Sequence, residues 1–344
     1  MRITSWNPRR TGWTLFSAGL FAGILALPIL AGAGESADRV KPSTTAERAA
    51  VLRAIAAMDP DENIRNPDTL AVKFVSEAYW ASRPYRRDFQ TFRALIKKHN
   101  IGSYYFVNAR TKHIDDLLRQ ALTRGVKQIV VLGAGYDSRA YRFTDVPKGV
   151  RFFEVDLPAT QEEKKTRVKK ILGSIPAQVV YVPIDFNTQT LEEALSNAGY
   201  DPKKKTFFIW EGVTMYLDRH GVESTLGFIS RNAAPGSSVV FDYVLASVID
   251  GTSEDAACKR GAKKVAGWGE PWLFGIKQGT ARDFLDKRGL LLLSDLGPHE
   301  LETLYLIGTD GRVDGPIAQC ARIMHAAVPT GRITKAPGTE RKEK

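Results

Sequence analysis

The stretch VVLGAGYDSRAYRF, residues 130–143, reads as a buried strand that breaks into a glycine turn and then enters a helix. Gly133 and Gly135 permit a tight turn and let the backbone approach a ligand with no β-carbon in the way. Where a dinucleotide-binding loop would place a third glycine, the chain supplies Asp137, Ser138 and Arg139. Working outward, QIVVLGA is the first of five apolar runs, followed by VRFFEVD, QVVYVPID, TFFIWEG and SSVVFDYV. Each run is continuous rather than alternating, as central parallel strands covered on both faces require. Amphipathic segments at 159–172, 191–198 and 222–232 separate them. Successive βα units of this kind predict an α/β chain with a Rossmann-like, doubly wound, mostly parallel sheet.

The rhythm stops after Val244 for a glycine-rich, charged insertion at 246–276, which reads as a lid. It resumes with the helix TARDFLDKRG and the runs LLLLSDL and ETLYLIG, which are expected to form an antiparallel C-terminal hairpin. Ahead of the sheet, AERAAVLRAIAAMD, TLAVKFVSEAYW and DFQTFRALIKKH carry apolar residues at helical spacing. The expected organisation is therefore a helical region at 44–125, a ligand-binding α/β domain at 126–312 and a basic tail at 313–344.

The N-terminus has a different character. Arg2, Arg9 and Arg10 precede an apolar run at 13–33 that ends in Ala31-Gly32-Ala33, the features of a secretory signal and a length that also suits one membrane span. Residues 1–34 are expected to export or anchor the chain, with a polar linker at 35–43; a true start further downstream would leave the protein cytoplasmic. The chain of 344 residues is 43% hydrophobic and 25% charged, which excludes disorder as its main state. Its net charge of +11 comes from scattered lysine and arginine runs that read as solvated faces, so no nucleic-acid partner is expected. Cys258 and Cys320 match no metal-ligand spacing, so no metal is expected, and both read as ordinary buried thiols.

In an open α/β sheet, ligands bind beyond the carboxyl ends of the strands. Those ends here carry Gly133 and Gly135, then Glu154 and Asp156, then Asp185, then Glu211. A carboxylate ending the second strand can accept from both ribose hydroxyls. Asp185 can accept from an exocyclic adenine amine, with Phe186 as an apolar surface beside it. No Gly-Lys-Ser/Thr phosphate cradle is present, and Asp137 would repel a pyrophosphate. A cationic nucleoside without phosphates fits the same carboxylates, and S-adenosylmethionine is such a ligand. Its own carboxylate needs a cation, for which Arg110 in YYFVNARTKHIDDLL is the candidate.

Together LGAGYDSRAYRF, FFEVDLP with Lys164 or Lys165 downstream, PIDF, WEGVTMYL and GWGEPWLFG resemble the leucine carboxyl methyltransferase-like family of class I S-adenosylmethionine-dependent methyltransferases, including its bacterial O-methyltransferases. The resemblance runs in order over about residues 45–312. It implies Arg110 on the cofactor carboxylate, Gly133 against its backbone, Asp156 on the ribose, Asp185 by the adenine and Glu211 near the amino-acid end. This chain departs from the family's Asp-Thr-Arg with Asp137-Ser138-Arg139, and by its N-terminal apolar segment.

Methyl transfer from a sulfonium is an in-line displacement in which the protein mainly aligns reactants and excludes water. A carboxylate acceptor on a small molecule needs no base, whereas a hydroxyl does. His113, His220 and His299 are candidates for such a base, and none is assigned. Trp268 and Trp272 of the lid either line the acceptor pocket or pin the lid down. Two alternatives compete: an NAD(P)-dependent dehydrogenase, which lacks its third glycine and catalytic pairing here, and a non-catalytic exported or membrane-anchored binding protein on the same fold.

Overall fold

A computed structural model of the protein describes residues 44–82, 88–99, 101–184 and 189–331. The expected signal or anchor at 1–34, the linker, Asp185 and Phe186 lie outside the described residues. Among those described, no helix is long and apolar enough to cross a membrane.

Five helices come first: α1 (Thr44–Ala56), α2 (Ala71–Phe74), α3 (Glu77–Ser82), α4 (Phe89–His99) and α5 (Gly102–Thr123). Strands and helices then alternate as β1 (Gln128–Leu132), α6 (Arg139–Arg142), β2 (Arg151–Asp156), α7 (Pro158–Leu172), β3 (Val179–Pro183), α8 (Leu191–Asn197), β4 (Thr206–Trp210), α9 (Arg219–Asn232) and β5 (Ser238–Val244). The chain closes with α10 (Ala246–Ile249), α11 (Ala256–Ala266), α12 (Ala281–Asp286), β6 (Leu291–Leu296), α13 (Pro298–Tyr305) and β7 (Ala321–Ala327).

The seven strands among the described residues form one sheet of order β3-β2-β1-β4-β5-β7-β6. The first five are parallel, and β7 lies antiparallel between β5 and β6. Because side chains alternate between faces, each buried strand feeds two cores. Ile129, Val131, Phe152, Phe207, Ile209 and Val240 pack on one side with α1, α5 and α7. Val130, Leu132, Phe153, Val155, Phe208 and Trp210 pack on the other with α8, α9 and α12. This two-sided burial explains the continuous apolar runs in the sequence.

The C-terminal antiparallel pair is present, but its second strand differs from the one expected. ETLYLIG does not pair with LLLLSDL; most of it falls in or beside α13, which starts with Pro298 and is fixed by the Glu300 side chain accepting from Gly297 N. Proline at a helix start and a glutamate reaching back to the cap are helix signals that outweigh the apolar run. The partner is ARIMHAA, so the sheet extends into the segment read as a tail.

The excursion between β5 and α12 is closed at its base, where Leu245 bridges Ile276 and Ala246 N donates to Ile276 O at 3.0 Å. Gly275 sits in this closure. A β-carbon there would meet Ala246 Cα at 2.8 Å and Val244 O at 2.9 Å, both backbone atoms that cannot swing aside. Gly275→Ala is therefore expected to lower stability by about 1–3 kcal/mol in urea unfolding; an unchanged midpoint would show that the base is not tightly closed.

Candidate active site

The carboxyl ends of β1, β2, β4 and β5 converge on the face that also receives α1, α5 and α6. Residues 154 and 156 share this face with Phe152, and Asp242 shares it with Val240, since the side-chain period is two.

Gly133 has φ +67°, and a β-carbon on it would lie 2.5 Å from Val213 Cγ2, so the turn after β1 has room for glycine alone. Gly135 N donates to Asp156 Oδ2 at 2.5 Å, and Leu157 N donates to the other oxygen at 2.7 Å. The two backbone donors fix the Asp156 carboxylate at the strand end, beside the turn. Burial raises its pKa above the ordinary aspartate value, against those two bonds.

A continuous run of buried ions lies beside it. Arg53 Nε meets Asp68 Oδ2 at 2.8 Å, and Asp68 Oδ1 accepts from Ser138 Oγ at 2.5 Å. Arg142 grips both oxygens of Asp115 at 2.6 Å, and Arg139 Nε reaches Asp115 Oδ1 at 2.8 Å. Arg139 Nη1 then binds Glu211 Oε2 at 2.7 Å and also Asp137. Arg110 completes the run, with Nε 3.0 Å from Glu211 Oε1 and Nη1 2.5 Å from Asp242 Oδ2. Asp242 Oδ1 accepts from Gly212 N at 2.6 Å.

Four guanidinium groups thus face five carboxylates, leaving one negative charge in surplus at full ionisation. Burial alone would raise the Glu211 pKa, but Arg110 and Arg139 outweigh it and hold the group well below the usual glutamate range. For Asp242, burial outweighs Arg110 and the pKa is raised. Asp242 is where the surplus charge is least comfortable.

Under the glycine turn sits a second buried pair, Lys164 Nζ to Glu154 Oε2 at 2.8 Å, with Tyr141 Oη donating to the same oxygen at 2.9 Å. Burial outweighs Lys164 and pushes Glu154 up to about 7.

The structure therefore brings together Arg110, Gly133, Gly135, Asp137, Asp156 and Glu211 of the expected set. Asp137 is turned onto Arg139, whose backbone N donates to Asp137 Oδ1 at 2.7 Å, so its charge is committed within the turn. Arg110, expected to face a ligand carboxylate, is already flanked by Glu211 and Asp242. The three histidines lie elsewhere: His113 Nδ1 is 2.9 Å from Tyr305 Oη beneath α13, while His220 and His299 are exposed on helices. Sequence reasoning missed Arg53, Asp68, Asp115, Arg142 and Asp242. An aspartate inside the apolar strand SSVVFDYV was a readable signal, because a charge in a buried strand requires a partner. Cavities of about 420 and 480 Å³ open at the amino ends of the strands, away from these residues.

The excursion covers part of this end. Leu273 N donates to Met215 O at 2.7 Å in the 3-10 turn that follows β4. The Arg48 guanidinium of α1 lies over the Trp268 ring, 3.6 Å from its centroid. Cys258 and Cys320 are joined as a disulfide, contrary to the two free thiols expected; 62 residues of chain hid their proximity.

Comparison with known proteins gives the family and the fold. The sequence profile of the leucine carboxyl methyltransferase family matches residues 46–230. The Bacillus subtilis protein named "Putative S-adenosyl-L-methionine-dependent methyltransferase YktD" is 32% identical over 57% of this chain and 64% of its own length. A Streptomyces avermitilis relative with the same assignment is 34% identical over 64% of this chain and 76% of its own. A solved Thermobifida fusca structure shares the fold, with TM-score 0.50 and 14% identity over 84% of this chain and 96% of that one. The family profile and these relatives place the chain in the class of S-adenosylmethionine-dependent methyltransferases, and S-adenosylmethionine is the cofactor of that class. Within it, the chain belongs to the leucine carboxyl methyltransferase family.

Two outcomes follow from the electrostatics. Asp115→Asn removes the carboxylate shared by two buried arginines and is expected to cost about 3–5 kcal/mol in chemical denaturation. Glu162→Gln, which weakens an exposed pair with Lys165 on the same helix, should cost only a small fraction of that. Equal losses would deny the network its structural role. The second outcome concerns Glu154, whose folded pKa of about 7 lies above the ordinary 4.5. As pH rises through that window the unfolded chain loses the proton first, so stability falls. Wild-type stability relative to Glu154→Gln should therefore decline between about pH 5 and pH 7.5, and a flat difference would contradict the buried, proton-retaining carboxyl.

Proposed function

We propose that this protein transfers the methyl group of S-adenosylmethionine to an oxygen of a small molecule, and that the oxygen belongs to a carboxylate. The observation that carries the reading is the surplus negative charge of the buried network, set directly beside the glycine turn and Asp156. S-adenosylmethionine brings a sulfonium, an ammonium and one carboxylate, a net positive charge that balances the surplus. A pyrophosphate dinucleotide would add negative charge to it, which disfavours the dehydrogenase alternative.

The residues fit the cofactor's parts. Asp156 would take the ribose hydroxyls, and Gly133 would let the backbone come close. Arg110 and Glu211 already form a pair of opposite charges, the mirror of a zwitterionic amino-acid end that would share them. The cofactor supplies the activated methyl group; the chain's part is to hold both reactants in line and keep water away. Among the described residues no histidine reaches this end, and burial raises the Tyr216 pKa, which makes its hydroxyl a poor base. A carboxylate acceptor, ionised at neutral pH, needs neither. The family name supports the same class of acceptor.

The disulfide gives a specific reason to keep a second reading: a binding protein on this fold that acts in an oxidising compartment, reached through the apolar segment at 13–33. Titration calorimetry of the full chain with S-adenosylmethionine tests the shared part of both readings. Binding is expected, and Asp156→Ala should weaken it about 10- to 100-fold; no heat at millimolar cofactor would sink both. Incubation with labelled cofactor and a panel of carboxylic acids and phenols then separates them. A product that releases methanol in base is the expected methyl ester, a base-stable product indicates a hydroxyl acceptor, and binding without transfer favours the second reading.

A further inference from the structure

The excursion at 245–276 is fixed at its base by backbone hydrogen bonds and near its return by Leu273 on Met215. Its outer part, α10 and α11, has much less to hold it. The apolar cluster beneath it contains Val248, Cys258 and Cys320 as its only buried members, with Leu245, Ala262, Trp272 and Ala318 packed partly around them. Beyond that cluster, Asp255 caps α11 by accepting from Cys258 N at 2.8 Å and reaches the segment entering β7 by accepting from Gln319 N at 3.3 Å. So small a cluster cannot hold a helix by apolar burial alone, because the stabilisation scales with the area removed from water. The Cys258–Cys320 bond is the one covalent link between this helix and the segment entering β7.

We propose that Cys258 and Cys320 form a thiol–disulfide modification site that controls whether α11 is seated over the carboxyl end of the sheet. With the bond intact, α11 is tied to the start of β7, and Trp268, just beyond the helix, rests on Arg48 of α1. That contact reaches the ligand end, because Ala46, on the same turn of α1, is the neighbour that a β-carbon on Gly135 would meet at 3.0 Å. A dithiol reductant opens the bond in two exchanges. Its first thiolate attacks one sulfur and forms a mixed disulfide, releasing the other cysteine as thiolate. Its second thiol then displaces the first cysteine and closes the reductant's own disulfide. Two electrons pass to the protein, and two protons end on Cys258 and Cys320. Both cysteines are buried, at 1% and 3% exposure, so the attack requires α11 to lift. The site is therefore stable in an oxidising compartment and is lost slowly, and only through the open lid, in a reducing one. This inference holds whether or not the chain transfers methyl groups.

The test compares the full-length protein in oxidised glutathione and in dithiothreitol. A non-reducing digest of the oxidised sample should yield one peptide pair linked through Cys258 and Cys320; two unlinked thiol peptides would overturn the proposal. Hydrogen–deuterium exchange read by mass spectrometry should then show peptides from 246–272 exchanging at least about tenfold faster after reduction, with a smaller rise in the first turn of α1 and none in β1, β2 or β4. Equal exchange in the two states would overturn it as well. Cys320→Ser should behave like the reduced wild type in both buffers. If that variant fails to fold, the wild-type redox pair decides the matter without it.

Discussion

A charge removed from water must find a partner, and in this protein that requirement ties the elements of the ligand end to one another. Arg53, Asp68, Arg142, Asp115, Arg139, Glu211, Arg110 and Asp242, with the Ser138 hydroxyl between Asp68 and Arg142, form a run in which each ion pair crosses a boundary between elements. The run joins α1 to the loop before α2, then α5 to α6, then β4 to β5. None of these positions can move alone without leaving a buried charge exposed to an apolar interior. Apolar packing brings the layers together, as the two cores on either side of the sheet show. The ions add direction, fixing which turn of α5 faces which strand end.

The same run sets the chemistry of the site. It is one positive charge short of neutrality, and its most strained member, Asp242, lies next to Arg110 at the end of β5. A ligand carrying positive charge relieves that strain, and one carrying phosphates worsens it. Asp137 contributes differently from its first reading. Its carboxylate does not stand open to a ligand but is spent on Arg139, which in turn restrains Glu211. The glycine turn keeps the close backbone approach of nucleotide-binding loops, while the anion cradle is replaced by a paired acid–base lattice with one negative charge in surplus.

The sheet was legible in the sequence because burial on two faces leaves an unambiguous mark: continuous apolar runs, the first four with a glycine or an acid at the end. Asp156 and Glu211 could be read as charges standing at the ends of such runs. Partnership was not legible. Arg110 and Asp242 are 132 residues apart, and only the strand order brings them together. Arg139 and Arg142 lie three residues apart on the short helix α6, and their side chains point inward to Asp115. ETLYLIG misled because four apolar residues in a run suit a strand or a helix equally, and Pro298 with Glu300 decides for the helix. The disulfide was hidden in the same way as the ion network, by sequence distance between groups that the fold makes neighbours.

The central claim is that this unbalanced ion run is the receptor for the cofactor's charged end. A crystal structure of the full chain with S-adenosylhomocysteine bound tests it most directly. Ribose hydroxyls are expected about 3 Å from Asp156, with the ligand's carboxylate and ammonium shared between Arg110 and Glu211. A ligand seated elsewhere, with Arg110 still closed between Glu211 and Asp242, would contradict it.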